Sequence, residues 1–125
     1  DVAPSRGLGD VYKRQNPDSA KAIARHELLC SLDDVIREAS RCLKSKGKMY
    51  MVHRPNRLVD IFDTMRKYHL EPKRMRLVYP YVNKAANMVL IEAVKGGNSQ
   101  LIVEEPLIVY KTDGTYTDAL LKMYE

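Results

Sequence analysis

Between Ala22 and Tyr110 the chain alternates helix-like and strand-like patterns, yet it lacks the glycine-rich strand–turn–helix with which nucleotide-type α/β sheets open. In doubly wound sheets the ligand site lies at the carboxyl ends of the strands, where strand order reverses, and both halves of the sheet build it. The pattern here is that of one half. We therefore expect this chain to supply only part of such a site.

Length and composition indicate one soluble domain. The chain has 125 residues, of which 45% are hydrophobic and 30% charged, and this is ordinary for a globular protein. No apolar run reaches membrane-spanning length and nothing resembles a signal peptide, so the cytoplasm is the expected compartment. The formal net charge of +5 allows an anionic partner such as RNA without requiring one.

The cysteines and histidines predict neither a disulfide framework nor a metal site. Cys30 and Cys42 form no CxxC pair, and the helical stripe that includes Cys42 predicts a buried thiol. The three histidines, His26, His53 and His69, are too scattered for metal-ligand spacing.

Residues 1–15 show neither helical nor strand periodicity, and two glycines and a proline interrupt them. We interpret them as a non-native leader or an assembly artefact, and residues 16–125 as the C-terminal part of a domain whose N-terminal half is absent. The Gly-Leu-Gly at 7–9 follows no strand and is too short for a cofactor loop.

Ser31 begins the best-marked helix. Asp34 stands three residues later and completes a capping box. Gly47 suits a left-handed stop. The apolar residues between them follow i, i+3, i+4 spacing: Leu32, Val35, Ile36, Ala39, Cys42 and Leu43.

Three strands follow. Lys48–His53 is apolar on both faces, as in a buried parallel sheet, and Pro55 starts the helix after it. Lys73–Tyr79 alternates apolar residues with arginines and predicts an edge strand. Met88–Val94 is a nearly continuous apolar run, and its short connection to the edge strand predicts an antiparallel pair. This last strand is therefore expected to be central, between the other two.

Several separate blocks of residues 16–118 carry a resemblance to a known family: Ala22–Glu27, Leu32–Ile36, Val52–Pro55, Leu70–Arg74, Ala86–Ala93 and Pro106–Tyr110. They resemble the C-terminal half of the bacterial tRNA(Val) adenine-N6 methyltransferases of the Gram-positive type. The resemblance implies a fold that is the C-terminal half of a class I methyltransferase Rossmann-like sheet, ending in an antiparallel hairpin with the last strand central. It also implies that the intact protein transfers a methyl group from S-adenosylmethionine to an anticodon-loop adenine of tRNA.

The chain departs from that family at its catalytic motifs. The family binds S-adenosylmethionine through a glycine-rich loop and holds the adenine with an Asn-Pro-Pro-Tyr motif, and both would precede Asn16. No catalytic or cofactor-binding residue is therefore assigned. We expect S-adenosylmethionine to bind the intact protein only, and this chain to be inactive alone.

His53, Arg54 and Arg57 are the main candidates for binding substrate RNA. They lie at the carboxyl end of a predicted central strand and in the first turn after it, where arginine can pair bidentately with phosphates. The alternative is that both arginines only cover a solvated helix start. Arg25 and His26 are further candidates for the same cleft, against the alternative of a surface or capping pair.

Other basic and aromatic residues have structural explanations as well. Lys44, Lys46 and Lys48 fit a helix end and a turn at the opposite edge of the sheet. Arg74 and Arg76 suit an edge strand that must not pair with other chains. Tyr79 and Tyr81 either pack or stack on bases.

Two other functions stay open: a complete, non-catalytic RNA-binding module, and a fragment of a ribosomal RNA or DNA adenine methyltransferase. The first conflicts with the strand Lys48–His53, because without a neighbour it would leave an open hydrophobic edge. We therefore expect the isolated chain to self-associate or aggregate through that edge.

Overall fold

The described part of the chain, residues 31–124 of a computed structural model, is a mixed α/β unit. The domain boundary predicted at 15/16 and the first cysteine, Cys30, lie outside the described residues. In chain order the elements are α1 (Leu32–Cys42), β1 (Lys48–His53), a short 3-10 helix (Pro55–Arg57), α2 (Leu58–Lys67), β2 (Leu70–Tyr79), β3 (Met88–Lys95), β4 (Ile102–Val103), β5 (Leu107–Ile108) and α3 (Asp118–Lys122).

The central strand of the sheet is β3, which runs antiparallel to both of its neighbours, β1 and β2. Val89 of β3 faces His53 of β1 on one side and Leu77 of β2 on the other. Because both neighbours oppose β3, β1 and β2 are parallel to each other and their carboxyl ends share one edge of the sheet. This arrangement confirms the predicted hairpin with a central last strand.

Strand β2 differs from its prediction in two ways. It begins at Leu70 instead of Lys73 and so includes Pro72. The proline is accommodated because the register shifts between Pro72 and Arg74, and such an irregularity tolerates a residue without an N–H. It is also not an edge strand. The short strands β4 and β5 pair with it in parallel, so the 101–108 segment covers the side that the sequence left open.

Both faces of the sheet are packed. The helical face carries α1 and α2, and its buried cluster consists of Ile36, Met51, Ile61, Met65, Leu70, Met75, Val89, Ile91 and Ala93. The opposite face carries α3, and its cluster consists of Val52, Val78, Leu90, Leu107, Val109 and Leu120. Met51 and Val52 of β1 enter different clusters, which explains why that strand is apolar on both faces.

Helix α1 begins as predicted and ends differently. The Ser31 hydroxyl accepts from the Asp34 N–H at 3.1 Å while the Asp34 carboxylate accepts from the Ser31 N–H at 3.3 Å, so the capping box is present. The prediction of a buried Cys42 is wrong: its side chain is exposed, because the buried line of the helix runs through Ile36 and Ser40.

The turn after α1 also corrects a prediction. Lys46, with φ of 68°, takes the left-handed conformation that was expected of Gly47. Gly47 is needed for a different reason, since a Cβ there would lie 2.9 Å from the Lys44 carbonyl oxygen.

The remaining helices are short. Pro55 starts the 3-10 turn that leads into α2, and Thr117 caps α3, which has five residues. Within residues 31–124, no helix has the length and apolarity that crossing a membrane demands.

Candidate functional site

The predicted site residues of β1 lie at the edge where the carboxyl ends of β1 and β2 meet. His53, the last residue of β1, is only 5% exposed, and its Nδ1 accepts a hydrogen bond from the Arg54 N–H at 2.8 Å. The neutral ring therefore carries its proton on Nε2. In this position the imidazole fixes the backbone of the turn that follows, and the exposed surface comes from the next residues.

Arg54 and Arg57 flank the 3-10 turn. The Arg54 side chain is exposed. The Nε of Arg57 lies 3.3 Å from Oδ2 of Asp60, and 34% of the Arg57 side chain is exposed. This ion pair offsets the unfavourable placement of a cation at a helix start, so structural stability accounts for part of the position of Arg57. Arg54 has no such ion pair among the described contacts and is the more available cation.

Two of the lysines that were expected at the opposite edge of the sheet, Lys46 and Lys48, lie away from this carboxyl edge. Lys48 is at the amino end of β1, about 17 Å from His53 at the rise of an extended strand. The Lys46 ammonium group donates to the Gly96 carbonyl at 2.7 Å and closes a turn. Arg25 and His26 lie outside the described residues.

A row of three tyrosines occupies the same edge of the sheet, beyond β2. We call Tyr81, Tyr110 and Tyr116 the tyrosine row. The ring centroids of Tyr81 and Tyr110 are 5.4 Å apart, and those of Tyr110 and Tyr116 are 5.5 Å apart and nearly parallel, at 20°. Tyr81 was named from the sequence, but Tyr110 and Tyr116 were missed. The Asp113-Gly114 pair between them is a hairpin signal in the sequence and could have predicted that Tyr110 and Tyr116 are neighbours.

A second feature missed in the sequence is a line of polar side chains across the face that carries α3. Tyr50 and Arg74 are the register partners of Glu92 on its two sides, and Glu92 is 4% exposed. Arg74 lies 4.0 Å from the Glu92 carboxylate and forms a shorter ion pair with Glu104. Burial raises the pKa of Tyr50, and the nearby Glu92 carboxylate raises it further.

These contacts explain the Arg74 position that the sequence ascribed to edge protection. The hydrogen-bonded ion pair with Glu104 is the main cause that raises the pKa of Arg74. Neighbouring Arg76 has a buried Nε with no hydrogen-bond partner among the described residues.

The described residues contain neither a group of metal ligands nor a glycine-rich phosphate-binding loop. No group of three or more His, Cys, Asp or Glu side chains in this range is placed to hold a metal ion. The glycines of the described range, Gly47, Gly96, Gly97 and Gly114, lie in turns before or after strands, and none follows a parallel strand and opens a helix, as a phosphate-binding loop requires.

Comparison with known proteins identifies the fold type. No protein-family model and no curated protein sequence matches the chain. Among solved structures, the chain is similar to a predicted O-methyltransferase, protein Atu636 from Agrobacterium tumefaciens, with a TM-score of 0.67 and 25% sequence identity. The match covers 74% of this chain and 44% of that protein. The mixed sheet is thus of the methyltransferase type, and the chain spans less than half the length of its structural neighbour.

Proposed function

We propose that this chain is the C-terminal part of an S-adenosylmethionine-dependent methyltransferase that modifies the N6 of an adenine in a tRNA anticodon loop. The observation that carries the proposal is the insertion of β3, reversed, between the parallel strands β1 and β2. This topology is what the sequence resemblance to tRNA adenine-N6 methyltransferases implies. The similar solved structure, described as a predicted O-methyltransferase, supports the general class of methyl transfer. The cytoplasm is the compartment that suits this substrate.

We assign the described residues no role in holding the cofactor, because none of their glycines lies in a loop between a parallel strand and a helix. Methyl transfer to N6 needs little acid–base help, because the adenine must be flipped out and its lone pair aimed at the methyl donor. This chain contributes strands to the sheet and holds RNA. Arg54 and Arg57 bind tRNA phosphates at the carboxyl edge, and buried His53 orients the turn that presents them.

The first test is the reading frame upstream of the codon for Asn16. The proposal expects an open frame that encodes an Asn-Pro-Pro-Tyr motif and, further upstream, a glycine-rich loop. The protein encoded by that frame is then incubated with tRNA that lacks N6-methyladenosine and with isotopically labelled S-adenosylmethionine. Mass spectrometry of the digested nucleosides should detect labelled N6-methyladenosine. The 125-residue chain should give none, and labelled product from that chain would contradict its assignment as an inactive part.

Matched charge variants test the candidate site in the same assay. Arg54→Ala removes one exposed cation at the carboxyl edge, and Lys48→Ala removes one at the opposite end of the same strand. We expect Arg54→Ala to raise the KM for tRNA about 5-fold, since one phosphate contact is lost, and Lys48→Ala to leave the KM unchanged. Equal effects of the two variants would show that overall charge, and no site at this edge, guides the RNA.

The description of the similar structure favours a second candidate, O-methyl transfer to a hydroxylated small molecule. Labelled product from such a substrate, with no N6-methyladenosine in tRNA, would select it. Labelled adenine in ribosomal RNA or DNA alone would point to a different nucleic-acid substrate. A start codon directly ahead of Asp1 would instead favour a non-catalytic RNA-binding module.

A further inference from the structure

We propose that the tyrosine row, Tyr81, Tyr110 and Tyr116, is a base-stacking platform for single-stranded RNA, separate from the phosphate contacts of Arg54 and Arg57. This inference rests on the proposed function in one respect, the choice of RNA as the partner. It adds a binding subsite on the opposite side of β2 from β1. Its evidence is the construction, exposure and surroundings of the three rings.

A tight hairpin holds two of the rings in register. Tyr110 and Tyr116 are paired across an antiparallel bridge. The turn between them is closed by the Lys111 N–H, which donates to the Thr115 carbonyl at 2.7 Å, and by Gly114, whose φ of 87° is left-handed. A rigid pair of rings loses little conformational entropy when a planar group stacks on it.

The third ring is joined to the pair through the end of β2. The Tyr110 N–H donates to the Pro80 carbonyl at 2.9 Å, directly before Tyr81. Parallel pairing of β5 with Val78 and Tyr79 brings these two segments together. The row therefore stands on the sheet, which fixes the spacing of its rings.

The exposure of Tyr116, at the outer end of the row, favours binding over packing, whereas Tyr81 and Tyr110 are partly buried and Tyr110 packs against the core. Tyr116 is 48% exposed although its neighbour Tyr110 stacks on one of its faces. A side chain that serves only as core is covered, as are Leu107 and Leu120 of the adjacent core cluster, which are 0% and 2% exposed. Tyr116 thus offers an aromatic surface, and base stacking on such a surface tolerates any base sequence.

The charges around the row suit a phosphate backbone. Lys84 and Lys111 are exposed; the Lys84 N–H donates to the Tyr81 carbonyl at 3.1 Å, and Lys111 follows Tyr110 directly. The one acid of the hairpin turn is exposed but hydrogen-bonded within the turn: the Asp113 carboxylate accepts from the Thr115 N–H at 3.0 Å and from its hydroxyl at 2.6 Å. Two cations beside an aromatic row are the combination that single-stranded nucleic acid requires.

The row and the arginines also share one edge of the sheet. Register places His53 of β1 and Leu77 of β2 opposite the same residue of β3, so the ends of β1 and β2 are about 10 Å apart across two strand spacings. A single strand of RNA can therefore lie along the edge with phosphates at Arg54 and a base at Tyr116.

The test measures binding of a fluorescent single-stranded RNA oligonucleotide to the 125-residue chain, without cofactor, by anisotropy. Tyr116→Leu keeps an apolar side chain but loses the ring, and we expect binding about 5- to 150-fold weaker, the usual effect of removing one stacking ring. Tyr116→Phe should bind as the unmodified chain does. Val59→Ala, at an 81% exposed position on α2, is the control for loss of exposed apolar surface.

Wild-type affinity in Tyr116→Leu, or loss of affinity in Tyr116→Phe, would overturn the platform. So would tight binding of a proline-rich peptide with no binding of RNA. A measurement on the unmodified chain guards against misfolded variants: RNA that contains 4-thiouridine should cross-link under ultraviolet light at Tyr81 or within residues 110–116. Cross-links found only elsewhere would refute the proposal.

These outcomes are distinguishable from those of the methylation assay. Weaker binding by Tyr116→Leu, together with no methylation of tRNA by the complete protein, would retain the platform and reject the proposed function. Methylation of tRNA by the complete protein, with unchanged RNA binding by Tyr116→Leu, would retain the proposed function and reject the platform.

Discussion

The ammonium group of Lys95 on β3 lies 2.6 Å from the carbonyl oxygen of Ser40 and 2.9 Å from that of Leu43. Both carbonyls belong to the carboxyl end of α1, where backbone acceptors have no partner within the helix. A cation there also complements the negative end of the helix dipole. The central strand thus caps the first helix through one side chain, over 52 and 55 residues of sequence.

Replacing Lys95 with Met should therefore destabilise the fold. We expect a loss of about 1–2 kcal/mol in the free energy of unfolding, because two partly buried carbonyls lose a charged donor. Urea unfolding followed by far-ultraviolet circular dichroism measures it, since the chain has no tryptophan. Lys48→Met, at the exposed start of β1, is the control. Equal midpoints for the two variants would contradict this role of Lys95.

The decrease in the free energy of unfolding at acidic pH should depend on Asp33. Its carboxylate accepts from the Tyr68 hydroxyl at 2.7 Å and from Lys67 at 3.0 Å, and these contacts hold the pKa below its ordinary value of 3.8. The stabilisation from Asp33 is therefore complete above the unfolded-state pKa and disappears as the pH falls through the lowered folded-state pKa.

In Asp33→Asn, stability at neutral pH should be lower and its decrease on acidification shallower than in the unmodified chain. Part of the decrease should remain, because hydrogen bonds from Ser31 also lower the pKa of Asp34. Urea midpoints between pH 7 and pH 2 test this, with Asp63→Asn, exposed on α2, as the control. An unchanged pH profile would exclude the role assigned to Asp33.

Replacing each of the two arginines of β2 with Met should change the free energy of unfolding differently, which urea unfolding measures. Arg74→Met leaves the Glu92 carboxylate, 4% exposed, without its ion pair, and we expect a loss of about 1–3 kcal/mol after allowance for the 40% exposure of the Arg74 side chain. Arg76→Met removes a buried Nε that has no hydrogen-bond partner among the described residues. It should be neutral or stabilising. Comparable losses in the two variants would refute this distinction.

Local signals were sufficient for much of the fold. Ser31 and Asp34 predicted the start of α1, because a capping box needs only three residues of context. The reversed β3 was predicted because an apolar run after a short connection has few alternatives.

The errors involve partners distant in sequence. Nothing near Arg74 indicates that β4 returns beside it, and nothing near Cys42 indicates that Ser40 takes the buried position by donating to the Tyr68 carbonyl at 2.6 Å. The tyrosine row was missed for the same reason, since Tyr81 and Tyr110 meet only after β5 pairs with β2.

The outer edge of β1 leads to the last prediction. Within residues 31–124, β1 pairs only with β3, so one row of its backbone N–H and C=O groups has no strand beside it in that range. Met51 and Val52 of this strand are apolar and buried, so the strand is apolar toward its carboxyl end. Such an edge pairs readily with another chain.

We therefore expect the isolated chain to associate with itself, and sedimentation velocity should show a mass that rises with concentration. Hydrogen exchange at two concentrations locates the contact: the amides of 48–53 should exchange more slowly in the concentrated sample. Strand β4, in which the apolar residues Ile102 and Val103 are 60% and 64% exposed, is the alternative contact and provides the control. If Ile102→Lys abolishes association, then β4 and not β1 is the contact; a monomer at all concentrations would exclude both and weaken the view of this chain as part of a larger sheet.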